Sequence, residues 1–370
     1  MTRLARISID GFRSIQSAQV DLTPLNVFIG ANGAGKSNLI AFLQLLNFAL
    51  SRSLQHFVQS RGPASALLHF GPKVTPVVRA AVEFQTEAGR NEYRCTLTHA
   101  QGDTLIFAHE EAEFQATGYP TPKVVPLGSG GQRESGLAEP WAENDSTARV
   151  MKSLLGKCRV YQFHDTSLES HLRSNPRADD TPYLRADGGN LAAFLFRLEH
   201  EHPDVFRQIE NTLNTVLPWF KDFALEPQGQ PPNQTIPLRW RMADKPDYEF
   251  SAGQLSDGSL RIMCLVTLLH QPEALRPRLI VLDEPELGLH PAAESLVAGL
   301  IKAASISSQI LVSTQSATFL DNSSADDVIV AENDQGRSTF KRQSSEALKA
   351  WLDRYSLGQV WQKDVIGGRP

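Results

Sequence analysis

A glycine-rich segment near the start of the sequence has the residue types that bind phosphate. Residues 30–37 read GANGAGKS and fit the pattern G-x-x-x-x-G-K-[ST]. The glycines permit backbone conformations in which successive N–H groups point at one phosphate. Lys36 is then expected to reach the β- and γ-phosphates of a nucleotide, and the Ser37 hydroxyl to contact Mg²⁺. A chance glycine-rich turn is the alternative, and such a match is expected in only about one chain of this length in a hundred.

Two adjacent carboxylates follow an apolar segment farther along the chain. Residues 278–285 read RLIVLDEP, so four apolar residues lead directly to Asp283 and Glu284. A strand that is apolar at every position is typical of the centre of a parallel sheet. At the end of such a strand, Asp283 can hold Mg²⁺ through a water molecule, and Glu284 can act as general base on an attacking water. A solvated acidic turn would be the better interpretation for this segment alone, but the phosphate-binding pattern favours catalysis.

The phosphate-binding pattern requires a strand before it and a helix after it. The sequence predicts a buried strand at 25–29 and an apolar helix at 36–48, whose positive N-terminal end favours an anion. Two strands precede this unit, and an antiparallel meander is predicted over 78–114. Residues 116–144 contain many Gly, Pro and Ser without periodicity, which predicts a long surface loop.

The second half of the sequence alternates between helical and extended patterns. Helical spacing over 191–219 is divided by Pro203, and Asn190 is the predicted N-cap. The other predicted elements are strands at 158–163, 236–242, 248–250, 279–282 and 309–313, and helices at 260–270 and 291–304. This alternation indicates an α/β protein.

Composition limits the classes of function. The formal net charge is −5, so any contact with nucleic acid must come from a local patch of basic residues. The three cysteines, Cys95, Cys158 and Cys264, have no zinc-site spacing and suggest no disulfide framework, which favours a reduced, cytoplasmic setting. The N-terminus lacks the apolar core of a signal peptide, and the apolar runs are too short to span a bilayer. We therefore expect no contact with a membrane.

Further segments resemble the motifs of one ATPase family when they are taken in order. Residues 254–261, QLSDGSLR, resemble the ABC signature in its RecF-like variant, and residues 283–291, DEPELGLHP, resemble a fused Walker B motif and D-loop. Gln315 stands where that family places its switch residue. The turn at 11–14, GFRS, resembles the family's first-strand turn, and Gln162 is the candidate Q-loop residue. The sequence is thus similar to the RecF/SMC-type branch of the ABC-like ATPases.

This resemblance implies a fold and a set of site residues. The fold would be an α/β P-loop NTPase of the ABC-ATPase/RecF type, with a mixed central sheet, an antiparallel β meander and a helical insertion lobe. Residues 1–165 and 251–370 would form the two halves of the ATPase head, and 166–250 a mainly helical lobe. The implied catalytic residues are Glu284, Gln315 and Lys36, and the implied Mg²⁺ ligands are Ser37, Gln162 and Asp283. The implied nucleotide contacts are Arg13, Ser14, Gly30, Asn32, Gly33, Ala34, Gly35, Lys36, Ser37, Asn38, Ser256 and Gly258.

The resemblance also implies an assembly, because the signature of this family touches the γ-phosphate held by the other subunit. Ser256 and Gly258 would then act in trans, and two ATP molecules would be sandwiched in a head-to-tail homodimer. Two features depart from the family pattern. Gln315 replaces the histidine common at the switch position, and an amide cannot become charged. The segment from Gln162 to Leu255 is short and lacks sustained heptads, which indicates a compact head without a coiled-coil rod.

Three functions remain open at this stage. The first is an ATPase that drives a conformational switch in DNA repair, genome maintenance or anti-phage defence. The second is a nucleotide-gated scaffold that holds a partner, a nuclease or DNA, with little turnover. The third, a GTPase or small-molecule kinase, ranks last because the sequence has no N-K-x-D motif. Relatives of the overcoming-lysogenisation type carry a fused Toprim nuclease, and too few residues follow Asn322 for one, so we expect a nuclease to be a separate chain.

Several residues outside these motifs are expected to have a structural role and no direct part in catalysis. His164 and Asp165 lack a partner motif and are expected to play no direct part. Arg173, Arg177 and Arg185 are interspersed with aspartates, which predicts a solvated surface of mixed charge. Trp219, Phe220 and Trp240 are expected to be core aromatics of the helical lobe, and residues 367–370 a flexible tail.

Overall fold

The first secondary-structure elements flank the glycine-rich loop. The structure, a computed structural model, describes residues 2–369. It begins with β1 (Arg3–Phe12), β2 (Ile15–Asp21), β3 (Leu25–Ile29) and helix α1 (Lys36–Leu50). Strand β3 and helix α1 lie on either side of the loop, as the sequence predicts.

A six-stranded antiparallel sheet occupies most of the next hundred residues. Two short helices lead into it, and four strands complete it: α2 (Leu54–Arg61), α3 (Ala64–Leu67), β4 (Val77–Thr86), β5 (Gly89–Ala100), β6 (Thr104–Ala116) and β7 (Lys123–Pro126). The strand order is β2-β1-β4-β5-β6-β7, so the predicted meander is confirmed. Strand β7 lies inside the predicted surface loop, where its largely exposed residues give no alternation to recognise.

The middle of the chain contains three helices, one strand of the central sheet and a small separate sheet. Its elements are α4 (Ser146–Gly156), β8 (Cys158–Tyr161), α5 (Leu191–Glu201), α6 (Pro203–Val216), β9 (Phe220–Phe223), β10 (Arg239–Met242) and β11 (Lys245–Ser251). Strands β9, β10 and β11 form a three-stranded antiparallel sheet beside the expected helices. Trp240 is buried there and its ring packs against Trp219 and Phe250 at centroid distances of 4.8 and 4.6 Å.

Asn190 precedes α5 but does not cap it. No side-chain capping bond is formed at this helix start. Asn190 is fully buried, and its Nδ2 donates to the carbonyl oxygens of Asp180 and Tyr183 at 2.9 and 2.8 Å. The predicted N-cap is therefore wrong in its hydrogen bonding, because the side chain holds the preceding loop instead.

The last third of the chain completes a mixed α/β sheet. Its elements are α7 (Asp257–His270), β12 (Leu279–Asp283), α8 (Pro291–Ala304), β13 (Gln309–Thr314), α9 (Ala317–Asp321), β14 (Val328–Asp334), β15 (Arg337–Arg342), α10 (Lys349–Leu352) and α11 (Leu357–Gln362). The central sheet has the order β15-β14-β3-β13-β12-β8, and all neighbours are parallel except β14 and β15.

The register of the central sheet places the ends of three strands side by side. Asp283 of β12 lies opposite Ser313 of β13, and Thr314 lies opposite Ile29 of β3. Since all three strands run parallel, the residues that follow them meet at one edge of the sheet. That edge carries the glycine-rich loop, the Asp283-Glu284 pair and Gln315.

Both faces of the central sheet are buried. In β3, Val27 and Ile29 belong to one hydrophobic cluster, whereas Phe28 belongs to another on the opposite face. This double burial explains why the strand is apolar throughout. None of the helices within residues 2–369 combines the length and the apolar character needed to cross a membrane.

Candidate functional site

The glycine-rich loop ends at a residue that only glycine can fill. Gly35 is the residue before α1, and its φ of 107° is strained for any other residue. A Cβ at this position would also lie 2.1 Å from the Ser338 hydroxyl, on β15. The loop is therefore fixed from both sides, and α1 begins with its first N–H groups free to bind an anion.

Lys36 is folded back onto this loop. Its Nζ donates to the carbonyl oxygens of Gly30 at 2.5 Å and Ala31 at 3.1 Å, and the side chain is buried. Burial lowers the pKa of Lys36, while the carboxylates of Glu284 and Asp283 act in the opposite direction. Lys36 thus lies within electrostatic reach of the acidic strand end, as expected if both serve one site.

The turn after β1 also reaches the start of α1. Asn38 Nδ2 donates to Ser14 Oγ at 2.6 Å, and Arg13 Nη1 donates to Asn38 Oδ1 at 3.4 Å. Arg13 has a positive φ of 51°, which turns its side chain out of the strand. Burial, followed by the charge of Arg61, lowers the pKa of Arg13. The predicted first-strand turn therefore lies beside the glycine-rich loop.

A hairpin near the end of the chain forms the other wall of the loop. Asn333 Nδ2, at the end of β14, donates to the carbonyl oxygen of Gly33 at 2.9 Å, and the Ser338 and Ser14 hydroxyls are 2.7 Å apart. This hairpin was not predicted from the sequence, although the dipeptide Gln335-Gly336 between two extended segments is typical of a turn.

The residues expected to form a flexible tail are packed against the same hairpin. Gly368 N donates to Glu332 Oε1 at 3.1 Å, and Trp361 Nε1 donates to the carbonyl oxygen of Gly368 at 3.2 Å. The backbone of Gly368 is thus held by the side chains of Glu332 and Trp361, and the prediction of a flexible tail is wrong for this residue. Pro370 lies outside the described residues.

Asp283 is held by three neighbouring residues. Gln162 Nε2 donates to Asp283 Oδ2 at 3.2 Å, and the Ser313 hydroxyl donates to Asp283 Oδ1. His164 Nε2 donates to the backbone oxygen of Asp283 at 2.8 Å. His164, which was expected to play no direct part, therefore contacts the site through the backbone.

Glu284 occupies a strained backbone position beside Gln315. Its φ is 44°, a value that costs a non-glycine residue about 1 kcal/mol or more. Its N–H donates to the backbone oxygen of Ser313 at 2.9 Å, and Gln315 Nε2 donates to Glu284 Oε1. The amide of Gln315 and the carboxylate of Glu284 are thus in direct contact, and the strained backbone belongs to the residue that carries the carboxylate.

Glu286 holds the backbone next to the contact between Glu284 and Gln315. One of its oxygens, Oε1, accepts from Thr314 Oγ1 at 2.6 Å and from the N–H of Gln315 at 2.9 Å. Its other oxygen, Oε2, is buried and finds no hydrogen-bond partner among the described residues. Burial raises the pKa of Glu286. Glu286 therefore holds the start of the switch segment, a role the motif comparison did not assign.

The oxygen atoms of the three residues predicted to bind Mg²⁺ are of the kind that this ion prefers. Ser37 contributes a hydroxyl, Gln162 an amide oxygen and Asp283 a carboxylate, and Mg²⁺ prefers such hard ligands. Residues 2–369 contain no group of three or more His, Cys, Asp or Glu side chains placed to hold a metal alone. Mg²⁺ normally uses one or two protein ligands together with phosphates and water, so the residues present fit it.

The signature segment begins α7 and lies against the D-loop. Ser256 caps the helix, with its Oγ accepting from Ser259 N at 3.2 Å, and is otherwise exposed. A Cβ on Gly258 would lie 2.6 Å from the backbone oxygen of Gly288, so these two glycines permit close packing. Within the described chain, the nearest heavy atoms to that Cβ belong to Gly288, not to the glycine-rich loop. Ser256 and Asp257, in the predicted signature, are exposed.

Two arginines that the sequence analysis did not assign hold the signature. Arg173 Nη1 donates to Ala252 O at 2.6 Å and to Leu255 O at 3.2 Å, and its Nη2 is 3.0 Å from Asp257 Oδ1. The side chain of Arg173 is only 8% exposed. The expected solvated surface is therefore wrong for Arg173, although Arg177 and Arg185 do form exposed pairs with Asp179 and Asp180.

The second arginine, Arg261, links the signature helix to two other segments. Its guanidinium donates to Phe163 O at 3.1 Å, His164 O at 3.0 Å and Leu287 O at 2.8 Å. The predicted Q-loop, signature and D-loop are therefore linked by hydrogen bonds of one side chain.

Comparison with known proteins places these observations in a family. A family model described as "AAA domain, putative AbiEii toxin, Type IV TA system" matches residues 133–321, and one described as "AAA ATPase domain" matches residues 3–80. The Old nuclease of Escherichia phage P2 is 24% identical over 94% of this chain and 62% of its own length. The DNA replication and repair protein RecF of Renibacterium salmoninarum is 44% identical over 18% of this chain and 16% of its own length. The chain thus spans less than two thirds of either relative.

Solved structures show the same fold. A SmcHead bound to the C-winged helix domain of ScpA superimposes with a TM-score of 0.63 and 17% identity, covering 93% of this chain and 99% of that chain. A Smc head domain from Pyrococcus furiosus, bound to the C-terminal domain of ScpA, gives 0.61 and 14%, covering 95% and 99%. These likenesses confirm the predicted fold class.

Proposed function

The chain belongs to the AAA-domain family whose model matches residues 133–321, and on that premise we propose that it hydrolyses ATP as a head-to-tail homodimer. The observation that carries this proposal is the contact between Glu284 and Gln315 at the sheet edge that also holds Lys36 and Asp283. A general base beside a phosphate-binding loop is what hydrolysis requires.

The phosphate contacts follow from the shape of the loop. The N–H groups at the start of α1, those of Lys36 and Ser37, bind the β-phosphate at the positive end of the helix, and the Lys36 side chain leaves its carbonyl partners for the β- and γ-phosphate oxygens. Arg13 and Ser14 lie beside the same helix start and contact the nucleotide. Ser37, Gln162 and Asp283 would hold Mg²⁺, and the ion would neutralise charge on the phosphates.

Glu284 and Gln315 supply the chemistry. Glu284 accepts a proton from a water whose oxygen attacks the γ-phosphorus, while the bond from that phosphorus to the bridging oxygen breaks and ADP leaves. The amide of Gln315 orients the carboxylate and, by rotating, donates to a γ-phosphate oxygen. Ser256 and Gly258 of the partner subunit contact the same phosphate, so loss of that phosphate weakens the dimer.

A second candidate function has one observation in its favour. Gln315 donates a hydrogen bond to Glu284 Oε1, so this oxygen is less free to accept a proton from water. An amide also cannot become charged to stabilise the transition state, and both features would slow hydrolysis. Slow turnover would make the protein a nucleotide-gated scaffold that stays closed around a partner while ATP is bound. We extend both proposals to a cytoplasmic role in DNA repair or anti-phage defence with a nuclease effector, because the matched relatives are named as a nuclease and a DNA repair protein.

The substitution Glu284→Gln tests the central proposal. It keeps the size of the side chain and the contact with Gln315 but removes the base, so ATP binding should persist while turnover falls by at least ~100-fold. Light scattering with ATP and Mg²⁺ should then show a trapped dimer. Glu226→Gln, at an exposed position, is the matched control and should behave as wild type.

Two results would contradict the proposal. Hydrolysis by Glu284→Gln at the wild-type rate would remove Glu284 as the base. A variant that binds ATP but stays monomeric would remove the ATP sandwich.

A further inference from the structure

A wide cleft lies at the edge of the central sheet opposite the glycine-rich loop. Its volume is about 1060 Å³, and residues that immediately precede four of the parallel strands line it. These are Pro24 before β3, Lys157 before β8, Arg278 before β12 and Ser308 before β13. A five-residue strand spans roughly 16 Å, so this cleft is separate from the proposed ATP site.

The cleft concentrates positive charge on a protein of net negative charge. Five cations line it, namely Arg3, Lys157, Arg159, Arg276 and Arg278, against the two carboxylates of Glu87 and Glu273. Within residues 2–369, none of the five lies within ion-pair distance of a carboxylate in the described contacts, whereas most other arginines of the chain are paired. Like charges held together without partners are costly unless an anion binds between them.

Two of these side chains are fixed in place. The guanidinium of Arg159 lies 3.7 Å from the centre of the Tyr183 ring, and that tyrosine is 44% exposed. Arg276 donates to Ser307 Oγ at 2.9 Å and to Gln271 O at 2.7 Å, while its buried Nε has no partner among the described residues. Lys157, Arg278 and Arg3 are exposed and extend from the rim. The cleft thus combines two cations that are held in place, three exposed cations and one aromatic face.

We propose that this cleft binds single-stranded nucleic acid through its phosphates. Its volume exceeds the usual ~300–1,000 Å³ of small-molecule pockets, and its cations are spread over several chain segments. A duplex presents phosphates on a convex surface, whereas a single strand can follow a concave cleft and stack a base on an exposed aromatic ring. The other arginine cluster, Arg173, Arg177 and Arg185, is paired with aspartates. A chain with a net charge of −5 needs a local basic patch to bind nucleic acid, and the cations of this cleft, unpaired in the described contacts, supply one.

Fluorescence anisotropy with a labelled oligo(dT) of about 15 nucleotides tests the proposal. Saturating ADP and Mg²⁺ keep the glycine-rich loop occupied, so displacement of the oligonucleotide by ADP would place binding there and overturn the proposal. The double variant Lys157→Gln/Arg278→Gln should bind more weakly, and the slope of log K against log salt should fall by roughly 1.4, since each lost cation removes about 0.7 for a single strand.

A matched double variant separates the cleft from overall charge. Lys221→Gln/Lys245→Gln removes two exposed lysines from the three-stranded sheet and should leave affinity and slope unchanged. Equal losses in both double variants would overturn the cleft assignment, and equal competition by duplex and single-stranded DNA would overturn the preference for a single strand. ATP turnover without DNA should be unaffected in both variants, so this test is independent of the Glu284 experiment.

Discussion

Gln315 is the residue whose chemistry departs most from the pattern of similar ATPases. Its amide donates to Glu284 Oε1, and its own N–H is held by Glu286. Replacement by alanine removes the side-chain donor but keeps the backbone contact. We expect Gln315→Ala to lower kcat by roughly 10- to 100-fold, because the orientation of the base is lost. ATP affinity should change little, because only one of several proposed contacts to the phosphates is removed.

The measurement is steady-state hydrolysis together with calorimetric ATP binding. Gln362→Ala is a suitable control, because Gln362 lines the same surface pocket as Gln315 but is not proposed to act in hydrolysis. This pocket is distinct from the basic cleft at the opposite edge of the sheet. An unchanged kcat in Gln315→Ala would show that the amide plays no part in positioning Glu284.

The residues of the site differ in how far the sequence reveals them. The glycine-rich loop, Asp283 and Glu284 lie in contiguous motifs, so local spacing is sufficient to predict them. Arg173 and Arg261 act through carbonyl oxygens that are distant in the chain, and a guanidinium that binds backbone carbonyls leaves no pattern in the sequence. Their roles depend on tertiary packing and only the structure reveals them.

At the scale of elements, the start of α7 depends on Arg173. Four hydrogen bonds from this side chain hold the helix start: one to Ala252 O, two to Leu255 O and one to Asp257 Oδ1. In the described contacts, no other side chain donates to these two carbonyl oxygens. Arg173→Met keeps the apolar stem but removes these bonds, so we expect ATP affinity of the monomer to persist and turnover to fall by about tenfold, at a cost of roughly 1–3 kcal/mol in local order.

Arg177→Met is the matched control for this change. Arg177 pairs with Asp179 on the surface, where an ion pair contributes at most ~1 kcal/mol. Comparison of kcat and of ATP affinity in the two variants decides the matter. Equal activity in both would mean that the carbonyl contacts of Arg173 do not position the signature.

Helix α6 carries a carboxylate whose protonation affects stability. Glu210 Oε1 accepts from Phe223 N at 2.9 Å, and burial raises the pKa of Glu210 to about 7, with further contributions from Asp222 and Glu199 and opposition from Arg241. The ordinary pKa is 4.5, so the folded protein binds this proton more tightly than the unfolded chain. The resulting stabilisation is complete below about pH 4.5 and is lost as the pH rises through about 7.

Glu210→Gln removes this titration while keeping an oxygen acceptor for Phe223. Relative to wild type, the variant should gain on the order of 1–2 kcal/mol of unfolding free energy between pH 5 and pH 8, after allowance for partial exposure. Urea denaturation at the two pH values measures the difference, and Glu226→Gln gives the baseline for an exposed glutamate. A constant difference between Glu210→Gln and wild type would contradict the assignment.

Elements were predictable where one face or both faces of a strand are buried. The meander strands alternate, and β3 and β12 are apolar throughout, so their patterns are distinct. Strand β7 is largely exposed and β9 has only four residues, so neither gives a period long enough to recognise. The hairpin β14–β15 was not predicted, although the turn Gln335-Gly336 is recognisable, because neither strand belongs to a motif of known chemistry.

At the scale of the whole molecule, the residues of the proposed ATP-hydrolysis site lie on two separate surfaces of one chain. The glycine-rich loop lies at the edge of the central sheet, whereas Ser256 faces outward at the start of α7 and bonds only within its own helix start in the described contacts. A head-to-tail dimer with two-fold symmetry would bring each Ser256 to the partner's loop. Ser256→Arg should therefore leave ATP binding nearly intact and abolish hydrolysis by a clash in trans.

Mixing two inactive variants tests this arrangement directly. Lys36→Ala should lose most ATP affinity, about 3 kcal/mol or ~100-fold, because a charge-assisted contact to the phosphates is removed. In a mixed dimer, the Lys36→Ala chain supplies a sound signature to the sound loop of the Ser256→Arg chain, which restores one complete site. Since half of the dimers in an equal mixture are mixed and each has one of two sites, about a quarter of wild-type activity should return. Differently tagged chains report subunit exchange by co-purification, and exchange without recovered activity would show that the signature does not act across the dimer.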